Sequence, residues 1–145
     1  TTWLDWAKRD LELEAFTAEL SALRNRHPAL HSPLLLTGRA LDGADMPDIQ
    51  WFRADGQHME TASWEDSENR FLGFVLSVAA SGKRKADHVA VVINRNEGRL
   101  HVTLPALPKG MPWKLALATR HAMVENAGWS VPSHCVAIFE AVSKR

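Results

Sequence analysis

His27 and His31 stand four residues apart, the interval that sets two imidazoles on one helical face as paired metal ligands. Pro28 lies between them and disfavours helix in the residue before it, so that shared face is not expected to form. Asp42, Asp45 and Asp48 gather carboxylates of the kind calcium takes, but "DGADMPD" lacks the alternating ligands and distant glutamate of an EF-hand loop. It reads as a solvated, proline-broken loop. Glu65, Asp66 and Glu68 in "WEDSEN" come nearest to the carboxylate pair of a glycoside hydrolase, a chemistry that needs a cleft to raise one pKa. Without such a cleft they are solvated loop residues. Cys135 sits in the apolar run "CVAIFEAV", where a thiol packs and stays inert. His101 and His121 fit strand edges as ordinary polar residues, and neither a G-x-S-x-G turn nor a glycine-rich phosphate loop occurs. No catalytic residue, metal site or cofactor is expected.

The tryptophans offer a different chemistry. Trp51 adjoins the Asp55-Gly56 turn, Trp64 follows it, and Trp113 and Trp129 fall near the ends of expected strands. Flat indoles at strand edges stack on sugar faces, while the competing use is packing, since an indole buries much apolar area. Trp51, Trp64 and Trp113 are therefore the candidate substrate-binding residues, with a glycan as the ligand.

The elements that must position these residues divide the chain in two. From Asp10 to Arg26, Leu13, Phe16, Leu20 and Leu23 recur every three or four residues among charged neighbours, which predicts one helix with one apolar stripe. It should end at His27-Pro28. Beyond "HPALHSP" the pattern changes to short apolar runs between turn residues: "DIQWFR", "RFLGFVLSVAA", "HVAVVIN", "RLHVTLP", "WKLALAT" and "CVAIFEAV". In "RLHVTLP", Leu100, Val102 and Leu104 alternate with His101 and Thr103, as in a half-buried strand. "HVAVVIN" and "RLHVTLP" meet across "RNEG" as a hairpin, with Gly98 supplying a positive φ. "CVAIFEAV" is dense enough to be a central strand. The expected fold is mainly β, an antiparallel β-sandwich preceded by one long amphipathic helix.

Composition narrows the class of partner. Lys+Arg and Asp+Glu number 17 each in 145 residues, so no net field draws nucleic acid or an anionic membrane. The apolar runs fall far short of the roughly 18 residues a membrane span requires. A single cysteine excludes an intramolecular disulfide, and a cytoplasmic location is the expectation.

Two stretches carry a resemblance to a known family. "TTWLDW", followed by a helix ending "LSALRNRHPAL", is similar to the element that closes the catalytic barrel in isoamylase-type glycogen debranching enzymes of the α-amylase superfamily (glycoside hydrolase family 13). "DIQWFRADGQHMETASWEDSENRFLGFVL" resembles the segment opening their C-terminal β-domain. "VAVVINRNEGRLHVTLP" resembles the family's hairpin with its asparagine after an apolar strand, while "WKLALATRHAMV" departs where an aspartate-threonine pair is usual.

The resemblance implies that residues 1–31 are the last helical element of a catalytic barrel and residues 32–145 an α-amylase-type C-terminal β-sandwich. Trp3 and Trp6 would then come from inside a larger enzyme that hydrolyses α-1,6-glucosidic branch linkages in glycogen or limit dextrin. The family's nucleophile, acid/base and third acidic residue lie upstream of the tryptophan element, so this segment is expected to be structural and non-catalytic. Its implied partners are the upstream barrel and, through the parent enzyme, α-glucan. The excised helix stripe is expected to fold onto the sheet or to drive self-association. The alternative is an α-glucan-binding module that uses exposed tryptophans.

Overall fold

A computed structural model describes residues 3, 5–40, 43–120, 122–125 and 128–142. Asp42, His121 and part of "TTWLDW" lie outside the described residues.

Helix α1 spans Leu11–Arg26. Asp10 caps it, its Oδ1 accepting from Leu13 N at 3.0 Å. Glu12 and Glu14 in the first turn and Arg24 and Arg26 in the last complement the helix dipole. The helix stops at His27, and Pro28–Leu30 forms a short 3-10 turn. The expected apolar stripe does not pack as one face: Leu23 is buried and Phe16 half-buried, but Leu13 is 60% exposed and Leu20 is also exposed. Only the C-terminal end of α1 reaches the β-domain, so the earlier leucines project into solvent.

The remainder is antiparallel β structure in two sheets. One has the order β1 (Ile49–Phe52), β2 (Phe71–Val78), β3 (Asp87–Asn94), β8 (Cys135–Ala141) and β5 (Trp113–Ala118). The other has the order β4 (Leu100–Val102), β7 (Gly128–Val131) and β6 (Met123–Glu125). A short helix, α2 (Thr61–Glu65), lies between β1 and β2. Phe52, Phe71, Val75, Ala90, Val92, Ala137 and Phe139 from the larger sheet form one core with Val102 and Val131 from the smaller. Trp129 of β7 lies against Phe139, ring centroids 4.7 Å apart. The mainly antiparallel fold matches the expectation, and "CVAIFEAV" is indeed an interior strand.

The expected hairpin across "RNEG" is corrected. β3 and β4 belong to different sheets, and Gly98 is not among the positive-φ glycines. The cause is Asn94, buried at the end of β3. Its Nδ2 donates to Pro132 O at 2.7 Å and Val131 O at 3.1 Å, while its Oδ1 accepts from Asn96 N at 3.0 Å. This amide ties the end of β3 to the β7–β8 connection and turns the chain from one sheet to the other. Gly56, by contrast, has φ 82° and makes the turn after β1 as expected, its N–H donating to Arg53 O at 2.9 Å.

Gly73 of β2 faces the core, where a Cβ would stand 2.6 Å from the Phe52 ring. Phe52 is fully buried and cannot swing away. Gly73→Ala is expected to cost about 1–3 kcal/mol through overpacking, read as a lowered midpoint in thermal unfolding. An unchanged midpoint would mean that the ring has room to move.

Candidate functional site

The junction of helix and β-domain is built on one imidazole. His27, 8% exposed, places Nδ1 2.8 Å from Asp87 Oδ1 on β3 and Nε2 3.0 Å from Glu140 Oε2 on β8. A neutral ring carries one N–H and satisfies one of these carboxylates, whereas an imidazolium donates to both. Ala29 N donates to the other Asp87 oxygen at 3.0 Å. Arg26 at 3.5 Å and Lys114 at 3.6 Å also approach Glu140. Burial pushes the Glu140 carboxyl up, but the His27 hydrogen bond and the Arg26, His27 and Lys114 charges outweigh it, holding it below the ordinary value of 4.5. His27 thus belongs to a carboxylate clamp, while His31 is exposed. Its part in the junction was not visible from sequence, because both carboxylates are far away in the chain.

The clamp sits at one end of an apolar surface. On the side of the larger sheet away from the core, Trp51, Phe74, Val91, Ile138 and Leu117 stand opposite one another in register across all five strands. Leu72, Ile93 and Val136 form a second row. All are half-buried except Val91, while the core-facing Val75, Ala90, Val92 and Ala137 that alternate with them are fully buried. A sandwich sheet ordinarily turns polar residues outward, so this outer face is built to be covered. Trp3, Trp6, Leu11 and Leu13 add exposed apolar area at the helix end of the molecule.

A leucine run is presented in the same way. Leu34, Leu35 and Leu36 are exposed, Leu35 at 91%. The loop is fixed just beyond them by Asp48. That carboxylate accepts from Thr37 N at 2.7 Å, Thr37 Oγ1 at 2.9 Å, Gly38 N at 2.7 Å and Ile49 N at 2.7 Å. Burial raises the Asp48 pKa, and these four donors outweigh it, leaving the carboxyl below its ordinary value. The expectation of a solvated loop is therefore corrected at Asp48, which is a buried staple. Asp45 is exposed, 3.7 Å from Lys109 Nζ. Among the described residues no group of three His, Cys, Asp or Glu is placed to hold a metal ion.

The structure brings together two of the three candidate tryptophans. Trp51 is half-buried and meets Trp64 edge to face, centroids 5.5 Å apart and planes at 77°. Phe74 closes on Trp51 from the other side at 5.2 Å. Trp64 itself is 52% exposed. Trp113 lies elsewhere, half-buried against the core, with Nε1 donating to Pro105 O at 2.8 Å. Next to α2 a cleft of about 500 Å3 opens between that helix and the Asp55-Gly56 turn. Glu65, Asp66 and Glu68 are all exposed, and Asp66 lines this cleft. Cys135 is buried in the core, as expected for an inert thiol.

Residues 48–135, more than half of the chain, match the family described as isoamylase, C-terminal. The chain belongs to this family. An isoamylase from Flavobacterium sp. is 26% identical to this chain over 138 residues, 94% of it. Glycogen debranching enzymes of Serratia proteamaculans (strain 568) and Yersinia enterocolitica serotype O:8 are 35% and 34% identical over 106 and 104 residues, 72% of the chain in each case. The matches take in only 17%, 14% and 13% of those relatives' own lengths.

The clamp should respond to acid. Because Glu140 is held below 4.5, the ionised carboxylate favours the folded state. Its contribution is complete above that value and is lost as pH falls through the lowered one. Amide protection factors in residues 23–30, corrected for the intrinsic exchange rate at each pH, are expected to fall below pH 4.5 ahead of the sheet, and an equal fall throughout would count against a local clamp. His27→Ala removes the shared ring from between two part-buried carboxylates and is expected to cost about 1.5–3 kcal/mol, measured by denaturant unfolding.

Proposed function

We propose that this chain is the C-terminal accessory part of a glycogen debranching enzyme. In this reading residues 1–31 are the last helical element of the catalytic barrel, and residues 32–145 are a non-catalytic β-domain that buttresses it. The parent hydrolyses α-1,6-glucosidic branch linkages in glycogen or limit dextrin with two carboxylates supplied by the barrel. The carrying observation is the apolar outer face of the larger sheet, Trp51 through Leu117. The clamp at its end fixes where α1 leaves the β-domain, so sheet face and helix together offer one continuous surface to an upstream domain. The small share of the relatives' lengths that the chain spans supports the same reading. No described helix is long and apolar enough to cross a membrane, and we place the enzyme in the cytoplasm.

A second reading, an α-glucan-binding module, draws on one observation: Trp64 is half exposed and braced by Trp51. Trp113, the third candidate, stands apart from this pair, its N–H already engaged by Pro105.

The chain alone is expected to release no reducing ends from branched dextrin, and measurable release would overturn the non-catalytic assignment. Ile138→Lys, at the centre of the outer face, is expected to leave the secondary structure of the chain intact by circular dichroism. In the intact enzyme the same substitution should lower the thermal midpoint of the catalytic domain. If that midpoint does not move, the face is not the docking surface.

A further inference from the structure

The cleft beside α2 has a lining that selects a class of ligand. Its buried floor is Met59 and Phe71, and the floor is pinned: Met59 N donates to Trp51 O at 3.0 Å and Phe71 N to Asn69 Oδ1 at 3.0 Å. Its volume, about 500 Å3, lies in the ordinary range for small-molecule sites. The charged wall groups are Arg53, Asp55, Glu60 and Asp66. Arg53 is spent on Asp55, with Nη2 2.7 Å from Oδ2 and Nε 3.3 Å from Oδ1. Glu60 enters no ion pair among the described residues, and Asp66 commits Oδ1 to Glu68 N at 2.9 Å.

This balance argues against two ligand classes. A phosphate or carboxylate would face two carboxylates whose charge Arg53 does not offset. A metal ion would find too few converging ligands, and a floor of thioether and phenyl gives it nothing. A neutral polyhydroxylated ring fits both surfaces, because its C–H face lies on an apolar floor while its hydroxyls donate to carboxylates. Trp64, next in α2 after the cleft-lining Ser63, adds an exposed indole for an adjacent ring.

We propose that the cleft between the Asp55-Gly56 turn and α2 is a binding site for a neutral oligosaccharide. Its identity as an α-glucan rests on the proposed function above. The site borders the apolar docking face at Trp51, against which Trp64 packs, and requires no chemistry of its own.

The test is titration of the purified chain with maltohexaose, followed by amide chemical shifts over residues 53–71 and by tryptophan fluorescence. Six tryptophans and no tyrosine make that emission clean. Cellohexaose and glucose 1-phosphate serve as comparison probes. Ala62→Trp, which fills the cleft from an exposed helix position without removing a hydrogen bond, is the main variant, and Asp66→Ala is the second. Saturable shifts at millimolar maltohexaose, weakened about tenfold or more by Ala62→Trp and absent with glucose 1-phosphate, are the expected result. No shift, an affinity unchanged in both variants, or equal binding of glucose 1-phosphate would overturn the site. Binding of cellohexaose in preference to maltohexaose would keep the cleft as a neutral-sugar site and remove the α-glucan identity that the proposed function supplies.

Discussion

Helix α1 is held where it meets the sheets by an imidazole between two carboxylates. Asp87 opens β3 and Glu140 lies near the end of β8, neighbouring strands of the larger sheet, so both are delivered to one spot by strand pairing alone. His27 reaches that spot because proline ends α1 at this residue and turns the chain down onto the sheet. The clamp therefore depends on the sheet being formed, and the direction of α1 depends on the clamp. Buried Leu23 and half-buried Phe16 add packing to the clamp, while Leu11, Leu13 and Leu20 find no surface beneath them.

The larger sheet is apolar on both sides, and this sets it apart from an independent sandwich. One side meets the smaller sheet and gives a conventional core. The other carries Phe74, Val91 and Ile138 in register where a self-sufficient domain would carry polar residues. Such a pattern is tolerable in a chain whose outer face is covered in its working state, and it is a liability in one that stands alone. The cleft beside α2, with charged walls over an apolar floor, and the uniformly apolar outer face are thus chemically different surfaces on one small domain.

Much of this was legible from residue patterns, and the failures are local. Helix α1, its cap and its end follow from Asp10, the acidic-to-basic gradient and Pro28. The long strands follow from their apolar runs, and those of β2, β3 and β8 also held a signal about the outer face, since continuous apolar runs mark strands meant to be covered on both sides. β6 and β7, at three and four residues, have no alternating continuation beyond their ends of the kind that reveals the equally short β4 through Leu104. At the turn after β3, Gly98 signals a hairpin, whereas the deciding group is the Asn94 amide, which reaches Gly98 O within the turn and also Val131 O and Pro132 O almost forty residues later. Asp48 reads as a solvated loop residue, and the junction role of His27 does not show, for the same reason: each is defined by partners that composition and spacing do not bring together. For the tryptophans, the fold brings Trp51 and Trp64 into contact and sets Trp113 apart from them, a grouping that spacing alone does not give.

The place of β8 in the larger sheet also sets an order of assembly. β1, β2 and β3 pair with their neighbours in sequence and can form as soon as they leave the ribosome. β5 has only β8 beside it, so it must wait, unpaired and largely apolar, until β8 has been made. Until then both flanks of the β8 slot are open strand edges, the form of backbone that most readily recruits a stray segment. A nascent chain stalled between β5 and β8 would hold the hydrophobic surface of a domain without the strand that closes it, which makes that interval the one in which a chaperone matters most.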